Sequence, residues 1–309
     1  MPLPATSPIE ENLALEEVEL NVYRSTQSLW KPPGARGIFG GAVISQALSA
    51  ATKTVEEVYV VHSLHSYFLL PGDVSIPILY IVERVRDGKS FTTRSVEAIQ
   101  RGRCICHLVA SFQRPEDSAL SHTTPFPTNI PNLETLPSDF ELLSNKKFYS
   151  KISISEKERL MALSYIERGP IENRRVLETP EEEKLAPYLR KSRGWLKAQG
   201  KIQGSCSAHA IVLAYLSDKW FLSTSVKVND AYRKVSLMAS LDHIIYFHTH
   251  DFKADEWMFF EMESPWTGNG RGLNFGRLYS RDGRLIATCI QEGLIRLHED
   301  RKTSERPKL

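Results

Sequence analysis

The two halves of the chain repeat one pattern of strands, and this repeat limits the possible folds more than any other feature of the sequence. Residues 60–113 and residues 241–297 each begin with a strand that carries a histidine. Each then continues through an apolar strand, a glycine-containing break and two long strands joined by a tight turn. Aligning the two turns also aligns His62 with His243 without a gap. The sequence therefore predicts two related modules in one chain.

A helical segment precedes each block of strands. In the first half, Gly40 and Gly41 open the apolar residues 42–54, and in the second half residues 205–218 form a similar segment rich in small side chains. Small residues on a helix let a sheet approach closely, and a helix that covers one face of an antiparallel sheet is a stable arrangement. We therefore predict an α+β fold in which each module is a long helix wrapped by a curled antiparallel β-sheet.

The composition changes between the two modules. Residues 114–140 hold five prolines and many serines and threonines, which is typical of an irregular connection. We predict a first module over residues 1–115, a linker over 116–145 and a second module over 146–298. Residues 299–309 are predicted to form an exposed basic tail.

Charge and composition argue against several classes of protein. The 309 residues carry a net charge of +2, whereas a dedicated nucleic-acid binder needs a concentrated basic surface. No apolar run approaches the roughly 20 residues that span a bilayer, and the first residues lack the basic start and apolar core of a secretory signal. The four cysteines include no C-x-x-C pair, so we predict reduced thiols in an intracellular protein.

The sequence contains no recognisable cofactor or metal motif. There is no P-loop, no G-x-S-x-G element, no H-E-x-x-H pair and no dinucleotide-binding fingerprint. His243, His248 and His250 lie close together, but no cysteine or carboxylate set accompanies them at metal-ligand spacing. We therefore predict neither a cofactor nor a metal ion.

The last residues of the sequence resemble a peroxisomal address. Lys308 and Leu309 match the end of the Ser-Lys-Leu signal that an import receptor binds, but Pro307 occupies the position of the serine. Two interpretations stay open at this stage. The tail is either a targeting signal for the peroxisome or a frayed charged end on a cytoplasmic protein.

Five ordered strings in the two halves match those of a known protein family. They are GIFGGAVISQALSAA, VHSLHSYFLLPGD, RDGKSFTTRSVEAIQRGRCICHLVASFQ, SLDHIIYFH and IQEGLIR. In these strings the chain resembles the type II acyl-CoA thioesterases, the family of bacterial TesB and of the eukaryotic peroxisomal acyl-CoA thioesterases. The resemblance extends over residues 12–115 and 165–298. It implies a double hotdog fold and the hydrolysis of acyl-CoA to a free fatty acid and CoA.

The resemblance also implies that a water molecule is the nucleophile and that three residues activate it. The family uses an Asp just after the second-module helix, a Ser or Thr two residues before an Asp-His pair, and a Gln in the last strand. The matching residues are Asp218, Ser240 and Gln291. The chemistry is coherent, because a carboxylate can accept the proton of the water and such help contributes about 10²–10⁴-fold in rate. The two polar side chains can hold the water in line with the thioester carbonyl.

Five further residues are expected to bind the acyl-CoA substrate or to lie near it. His65 follows the first helix on a strand and is either a pocket residue or a structural histidine. Asp242 and His243 come shortly after the expected catalytic serine. Two arginines, Arg94 and Arg271, are candidates for the phosphates of CoA, which guanidinium groups bind well.

The first module lacks the catalytic residues that the second carries. Gln291 aligns with Ala110, and no Asp follows the first helix at the position of Asp218. We therefore expect one active site per chain, built by the second module and lined partly by the first. Two alternatives remain, a non-catalytic acyl-CoA or lipid binder and an enoyl-thioester hydratase. By analogy with the fold, we also expect a homodimer or higher homo-oligomer.

Overall fold

A computed structural model of the chain describes residues 7–32, 34–146 and 156–298. The expected targeting residues, Lys308 and Leu309, lie outside the described residues. In the part of the chain that is described, no helix is long and apolar enough to cross a membrane. The same residues contain no group of three or more histidine, cysteine, aspartate or glutamate side chains placed to hold a metal ion.

Six strands and one long helix make up the first module. The elements are α1 Pro8–Leu13, β1 Leu15–Glu19, β2 Val22–Ser25, α2 Gly40–Thr52, β3 Val60–Phe68, β4 Leu79–Asp87, β5 Phe91–Gln100 and β6 Arg103–Gln113. The strands follow one another across the sheet in the order β1-β2-β4-β5-β6-β3, and every pair is antiparallel. Helix α2 packs against β4, β5 and β6.

The second module repeats this arrangement after two helices of the connection. The elements are α3 Asp139–Ser144, α4 Glu156–Arg168, β7 Ile171–Val176, β8 Lys191–Ala198, α5 Cys206–Ser217, α6 Ser223–Val228, β9 Val235–Ser240, β10 Asp242–Phe247, β11 Met258–Gly268, β12 Arg271–Tyr279 and β13 Leu285–Leu297. The strand order is β10-β13-β12-β11-β8-β7, and β9 forms a side branch on β13.

Strands β3 and β10 join the two modules into a single sheet. They pair antiparallel, from Tyr67 opposite Asp242 to Ser63 opposite Tyr246. The two long helices, α2 and α5, pack against each other on one face of this sheet, which we call the inner face. This architecture confirms the predicted α+β double hotdog, and it brings the ends of the two helices together at the boundary between the modules.

The two central helices are buried on almost every side. In α2 only Gly40, Ser49 and Thr52 are more than marginally accessible, and α5 is buried from His209 onward except at Ile211. A helix that is apolar all round belongs in a core. Their small side chains let the strands approach closely, while each fully buried Leu, Ile or Val contributes about 1.5–3 kcal/mol. The predicted helical segments are confirmed.

One expected correspondence between the modules is wrong. Strand β3 has a register shift between Val61 and Ser63, and such a bulge changes the direction of the side chains around it. His62, at the bulge, is half-buried and forms a hydrogen bond with Ser111, whereas His243 is completely buried. The two histidines are therefore not equivalent, although the alignment of the turns places them opposite each other.

The connection between the modules packs against the second module. Residues 114–132 contain no regular helix or strand. The residues that follow nevertheless bury Leu133 and Leu136 in an apolar cluster on the face of the sheet away from α5. The partners in that cluster are Trp195, Phe259 and Tyr279. The connection is therefore a part of the second module's packing.

The same connection places one buried carboxylate beneath the loop that follows α5. Asp139 accepts hydrogen bonds from Arg175 at 2.8 Å and from the Trp220 indole at 3.1 Å, and it lies 3.3 Å from the Lys219 ammonium. The Arg175 guanidinium also stacks 4.1 Å from the centre of the Trp220 ring. Burial alone would raise the pKa of Asp139, but the two cations outweigh it and hold that pKa well below its usual range. The cluster fixes the backbone just after Asp218.

We predict that Asp139→Asn lowers the free energy of unfolding by about 3–5 kcal/mol, because it leaves Arg175 and Lys219 without their buried counter-ion. Urea denaturation measures the change. The control is Asp251→Asn, which removes an ion pair whose carboxylate is 88% exposed and which should cost less than about 1 kcal/mol. Equal losses in the two variants would contradict the prediction.

Candidate active site

The three residues expected to activate water come from three different elements of the second module. Asp218 is the C-cap residue of α5, Ser240 is the last residue of β9, and Gln291 lies in the middle of β13. Strand β13 pairs with both β9 and β10, so its central residue faces the ends of the other two elements. The fold therefore brings together residues that are separated by up to 73 positions.

A single amide group links the three side chains. Gln291 Nε2 donates one hydrogen bond to Asp218 Oδ1 at 2.8 Å and another to Ser240 Oγ at 3.1 Å. Gln291 is fully buried, and its Oε1 has no hydrogen-bond partner among the described residues. The amide thus uses both of its N–H groups to hold a carboxylate and a hydroxyl side by side.

The other oxygen of Asp218 meets the first module. The backbone N–H of Gly41, in the first turn of α2, donates to Asp218 Oδ2 at 2.8 Å. A side chain at Gly40 would come within 3.0 Å of the same oxygen and 2.9 Å of the Phe68 ring, and one at Gly41 would come within 2.7 Å of the Tyr215 carbonyl. The Gly-Gly pair therefore permits the contact, and the site lies between the two modules.

The environment of Asp218 makes it a suitable proton acceptor. Its side chain is only 7% exposed. Burial raises the pKa of the carboxyl group to about 6, although the hydrogen bonds from Gln291 and Gly41 act in the opposite direction. The group is therefore largely ionised above neutral pH and easily protonated, as a general base needs to be.

His243 lies behind this carboxylate and cannot reach a substrate. It is completely buried, its Nε2 lies 2.9 Å from Ser217 Oγ, and its Nδ1 lies 3.9 Å from Asp218 Oδ1. Burial lowers the pKa of the imidazole to about 3, so the ring is neutral at neutral pH. The expectation that His243 binds substrate is corrected, because the ring has no exposed surface.

A further set of buried polar groups supports the backbone of β13. Asn274 Nδ2 donates to the Gln291 carbonyl at 3.4 Å, and Asn274 Oδ1 accepts a hydrogen bond from Ser225 at 2.6 Å. Ser225 also lies 3.0 Å from Ser264. None of these residues was predicted from the sequence, although an asparagine in an otherwise apolar strand is a signal for a buried polar group.

Two other expected substrate-binding residues lie on the opposite face of the sheet. Side chains alternate along a strand, so Asp242 and Glu292 point away from the face that His243 and Gln291 share. Asp242 accepts a hydrogen bond from the backbone N–H of Glu292, and Arg271 forms an ion pair with the Glu292 side chain at 2.9 Å. Contrary to expectation, the structure does not bring Asp242 and Arg271 to the Asp218 site.

His65 is also on that outer face. It lies between Leu64 and Ser66, which are both buried on the inner face, and its ring packs edge-on against Tyr246 with the ring centres 5.5 Å apart. The structure therefore does not bring His65 to the Asp218 site either.

Arg94 has no donor left for a phosphate. Its five N–H groups are all used within the first module, on the hydroxyl and the carbonyl of Thr54, the carbonyls of Arg86 and Thr93, and the carboxylate of Asp87. Arg94 is 1% exposed. The expectation that it binds CoA phosphates is corrected, because its guanidinium is enclosed and saturated.

In the first module, Arg94 and Ala110 occupy the positions that correspond to Asn274 and Gln291 in the second. Arg94 pairs across the sheet with Ala110, in the same way that Asn274 pairs with Gln291 in the second module. Ala110 is completely buried on the inner face, and Arg94 beside it is buried on the same face. The Arg94 guanidinium extends from there to Thr54, just beyond the end of α2.

Two family models match the chain, one on each module. The model described as acyl-CoA thioesterase N-terminal domain matches residues 26–113, and the model described as acyl-CoA thioesterase C-terminal domain matches residues 157–295. Together they include most of the chain and all three residues of the amide-linked site.

Relatives and solved structures give the same result. The chain is 42% identical over 288 residues to a mouse protein named acyl-coenzyme A thioesterase 8, covering 92% of this chain and 88% of the relative. It is 25% identical over 305 residues to the yeast peroxisomal acyl-coenzyme A thioester hydrolase 1, covering 85% and 87%. The structure of acyl-CoA thioesterase II TesB2 from Mycobacterium marinum superposes with a TM-score of 0.74 at 33% identity, covering 97% of this chain and 99% of that one.

We predict that Asp218→Asn is more stable than the wild type at pH 7 by about 1–3 kcal/mol. The pKa of Asp218 is about 6 in the folded protein and 3.8 is its ordinary value, so the folded state binds more protons between those pH values. The stability that protonation contributes is therefore present below pH 4 and lost as the pH rises through 6. Denaturant unfolding of both proteins from pH 4 to 8 measures the difference, which should disappear near pH 4. A variant less stable than the wild type at pH 7 would contradict the prediction.

Proposed function

We propose, from the premise that the chain belongs to the type II acyl-CoA thioesterase family and hydrolyses acyl-CoA, that Asp218, Ser240 and Gln291 activate the water for that reaction. The observation that carries the proposal is the Gln291 amide, which holds the Asp218 carboxylate and the Ser240 hydroxyl next to each other. A buried carboxylate beside a hydroxyl is an arrangement that can bind one water and remove its proton.

Each residue has a separate role in the proposed reaction. The water oxygen attacks the thioester carbonyl carbon while Asp218 takes one of its protons. Ser240 accepts a hydrogen bond from Gln291, so its own O–H is directed elsewhere and can orient the water. When the tetrahedral intermediate collapses, the C–S bond breaks and the CoA thiolate receives the proton from Asp218. The products are a free fatty acid and CoA, and no covalent acyl-enzyme forms.

The amino end of α2 stabilises negative charge both before and after the water attacks the thioester. The positive end of the helix dipole faces the Asp218 carboxylate, which carries the charge before the attack. As the water proton passes to Asp218, the negative charge moves to the former carbonyl oxygen of the substrate. A fixed dipole at the same place serves the new charge without reorganisation, which is how preorganised sites lower a barrier.

We also propose a single active site in each chain. In the first module Ala110 replaces the glutamine, and the Arg94 guanidinium occupies the region at the end of α2. No proton acceptor comparable with Asp218 lies among the groups that Arg94 contacts, because its one carboxylate partner, Asp87, is 59% exposed and already paired.

We predict that Asp218→Asn lowers the rate of thiol release from acyl-CoA at least about 100-fold, since it removes the base but keeps the shape of the side chain. Ser240→Ala and Gln291→Ala should lower kcat about 10- to 100-fold, the size of one lost hydrogen bond to a charged or reacting group. A thiol assay over acyl chains from short to long measures all three and also gives the chain-length preference. The matched control is Asp282→Asn on an exposed turn, which should leave the rate unchanged.

Two outcomes of that assay would replace the proposal. If Asp218→Asn kept full activity, another group would be the base. If the wild type bound acyl-CoA but released no thiol, the chain would be a binder, or a hydratase should it add water to an enoyl-CoA. The geometry does not support the hydratase alternative. That chemistry needs an Asp and a His that act on the same substrate, whereas Asp242 and His243 lie on opposite faces of β10.

We propose that the protein works in peroxisomes. The support is the name of the yeast relative, a peroxisomal thioester hydrolase, together with the match of Lys308 and Leu309 to the end of a peroxisomal signal. The proposed partner for that signal is the peroxisomal import receptor, and the expected substrate is acyl-CoA.

We predict that a fluorescent protein fused to the N-terminus of the chain co-localises with a peroxisomal marker. Removing Pro307 to Leu309 should make the same fusion diffuse, because the receptor binds the end of the tail. A punctate signal that survives the removal would show that the tail is not the address.

The expected homodimer or higher homo-oligomer stays a prediction. Its support is an apolar surface at the centre of the outer face, where Tyr67, Val109 and Tyr246 are each more than a third exposed on neighbouring strands. Exposed apolar groups on adjacent strands are typical of surfaces that associate.

A further inference from the structure

We propose that Phe68 is a specificity-determining residue, whose ring lies beside the acyl carbon next to the thioester and excludes a branch that points toward it. We call this carbon the α-carbon. The inference rests on the proposed function, because it takes Asp218 and Ser240 as the groups that hold the attacking water. It goes beyond that function by naming a class of acyl chain, those with a methyl group at the α-carbon, that the site discriminates.

The accessible side of the site lies where the two modules meet. Asp218 is enclosed on most sides, and its side chain is only 7% exposed. The residues around it that keep some exposed surface mark the direction from which a substrate can arrive. They are Gly40, Phe68, Ser240 and Leu241. Among these four, Phe68 is the one aromatic side chain.

The tip of the Phe68 ring lies next to the Asp218 carboxylate. A side chain at Gly40 would place its first carbon 2.9 Å from Phe68 Cζ and 3.0 Å from Asp218 Oδ2. Both atoms therefore border the same small space above this glycine. Cζ is the outermost carbon of the ring, so the ring is directed end-on toward that space.

The ring is attached to a rigid part of the sheet. Phe68 is the last residue of β3, and its backbone N–H donates to the Leu241 carbonyl at 2.9 Å. The N–H groups of Leu69 and Leu70 both donate to the Ile105 carbonyl, and the Phe68 ring packs against the apolar core. Because backbone and ring are both held, the ring cannot move aside for a bulkier substrate without disturbing the junction of the modules.

The chemistry of the proposed reaction determines which part of the substrate lies near this ring. The water held by Asp218 and Ser240 must come to about 3–3.5 Å from the thioester carbonyl carbon before it can attack. The amino end of α2 serves the carbonyl oxygen, which places the carbonyl group beside Gly40. The α-carbon is one bond from the carbonyl carbon and therefore lies near the Phe68 ring, whereas the far end of a long acyl chain does not.

A rigid ring on one side of the α-carbon discriminates by shape. An α-methyl group that points toward the ring overlaps with it, whereas an α-methyl group on the other side does not. The substituted α-carbon is a stereocentre, so the two enantiomers place the methyl group on opposite sides. One additional carbon in an apolar site changes kcat/KM about 10- to 200-fold, which is the range expected here.

The test compares acyl-CoA substrates of equal carbon number. They are a straight chain, each enantiomer of the α-methyl chain and a chain branched at its far end. The kcat/KM for thiol release is measured for the wild type, Phe68→Ala and Phe68→Leu, and thermal unfolding shows whether each variant is folded. The matched control is Phe91→Ala, which removes another phenylalanine ring of the first module, 42% exposed and in edge-on contact with His62.

We expect the wild type to hydrolyse one α-methyl enantiomer at least about 10-fold less efficiently than the straight chain and the other enantiomer. Phe68→Ala should bring the ratio of the two enantiomers close to one, and Phe68→Leu should give an intermediate ratio. Phe91→Ala should keep the wild-type ratio. The chain branched at its far end should keep its efficiency relative to the straight chain in every variant.

Three results would overturn the inference. They are equal hydrolysis of both enantiomers by the wild type, a folded Phe68→Ala that keeps the wild-type ratio, and a change for the far-branched chain as large as that for the α-methyl chain. If Phe68→Ala does not fold, the wild-type ratio and Phe68→Leu, which keeps an apolar side chain, decide the question.

Asp218→Asn separates the inference from the proposed function. If this variant loses thiol release from every substrate while the wild type shows no preference between the enantiomers, the inference alone is wrong. If Asp218→Asn keeps full activity, the proposed function is wrong, and the placement of the α-carbon beside Phe68 is overturned with it.

Discussion

The hydrogen bond from the Gly41 backbone to the Asp218 carboxylate is the contact through which the two modules meet at the candidate site. It joins the start of α2 to the end of α5, and the absence of side chains at Gly40 and Gly41 is what allows the two helices to approach. Neither module holds both sides of this contact. The site therefore needs both modules, since the first supplies the helix dipole and the second supplies the carboxylate and the amide.

That arrangement places two physical demands in opposition at Asp218. Burial makes the ionised form costly, and only the N–H groups of Gln291 and Gly41 offset the cost, so the pKa of the carboxyl group rises to about 6. A more polar environment would make the fold more stable at neutral pH, but it would lower the pKa of the carboxyl group and make Asp218 a weaker proton acceptor in the proposed reaction. A buried charge of this kind is typical of sites where activity and stability compete.

The sequence alone predicted the features that follow from the order of residues along the chain. The apolar runs predict both central helices, and the family strings predict that Asp218 and Gln291 belong to one site. The sequence could not predict the side of the sheet on which a residue lies when the register changes, as at His62, where a bulge intervenes. It also could not show that Arg271 is occupied by an acidic neighbour, or that His243 is enclosed, because both depend on packing between strands that are distant in the chain.

The comparison of the two modules shows how little is needed to change their chemistry. In the first, Arg94 lies beside Ala110 and its guanidinium reaches the carbonyl end of α2, where the helix dipole favours a positive charge. In the second, Gln291 fills the matching place and directs its N–H to Asp218, which lies at the amino end of the other module's helix. The cation at one helix end forms a closed structural cluster, whereas in the proposed reaction the carboxylate at the other accepts a proton from water. The two modules therefore differ at both members of the pair, Arg94 with Ala110 in the first and Asn274 with Gln291 in the second, and with them in the charge that lies at the helix end.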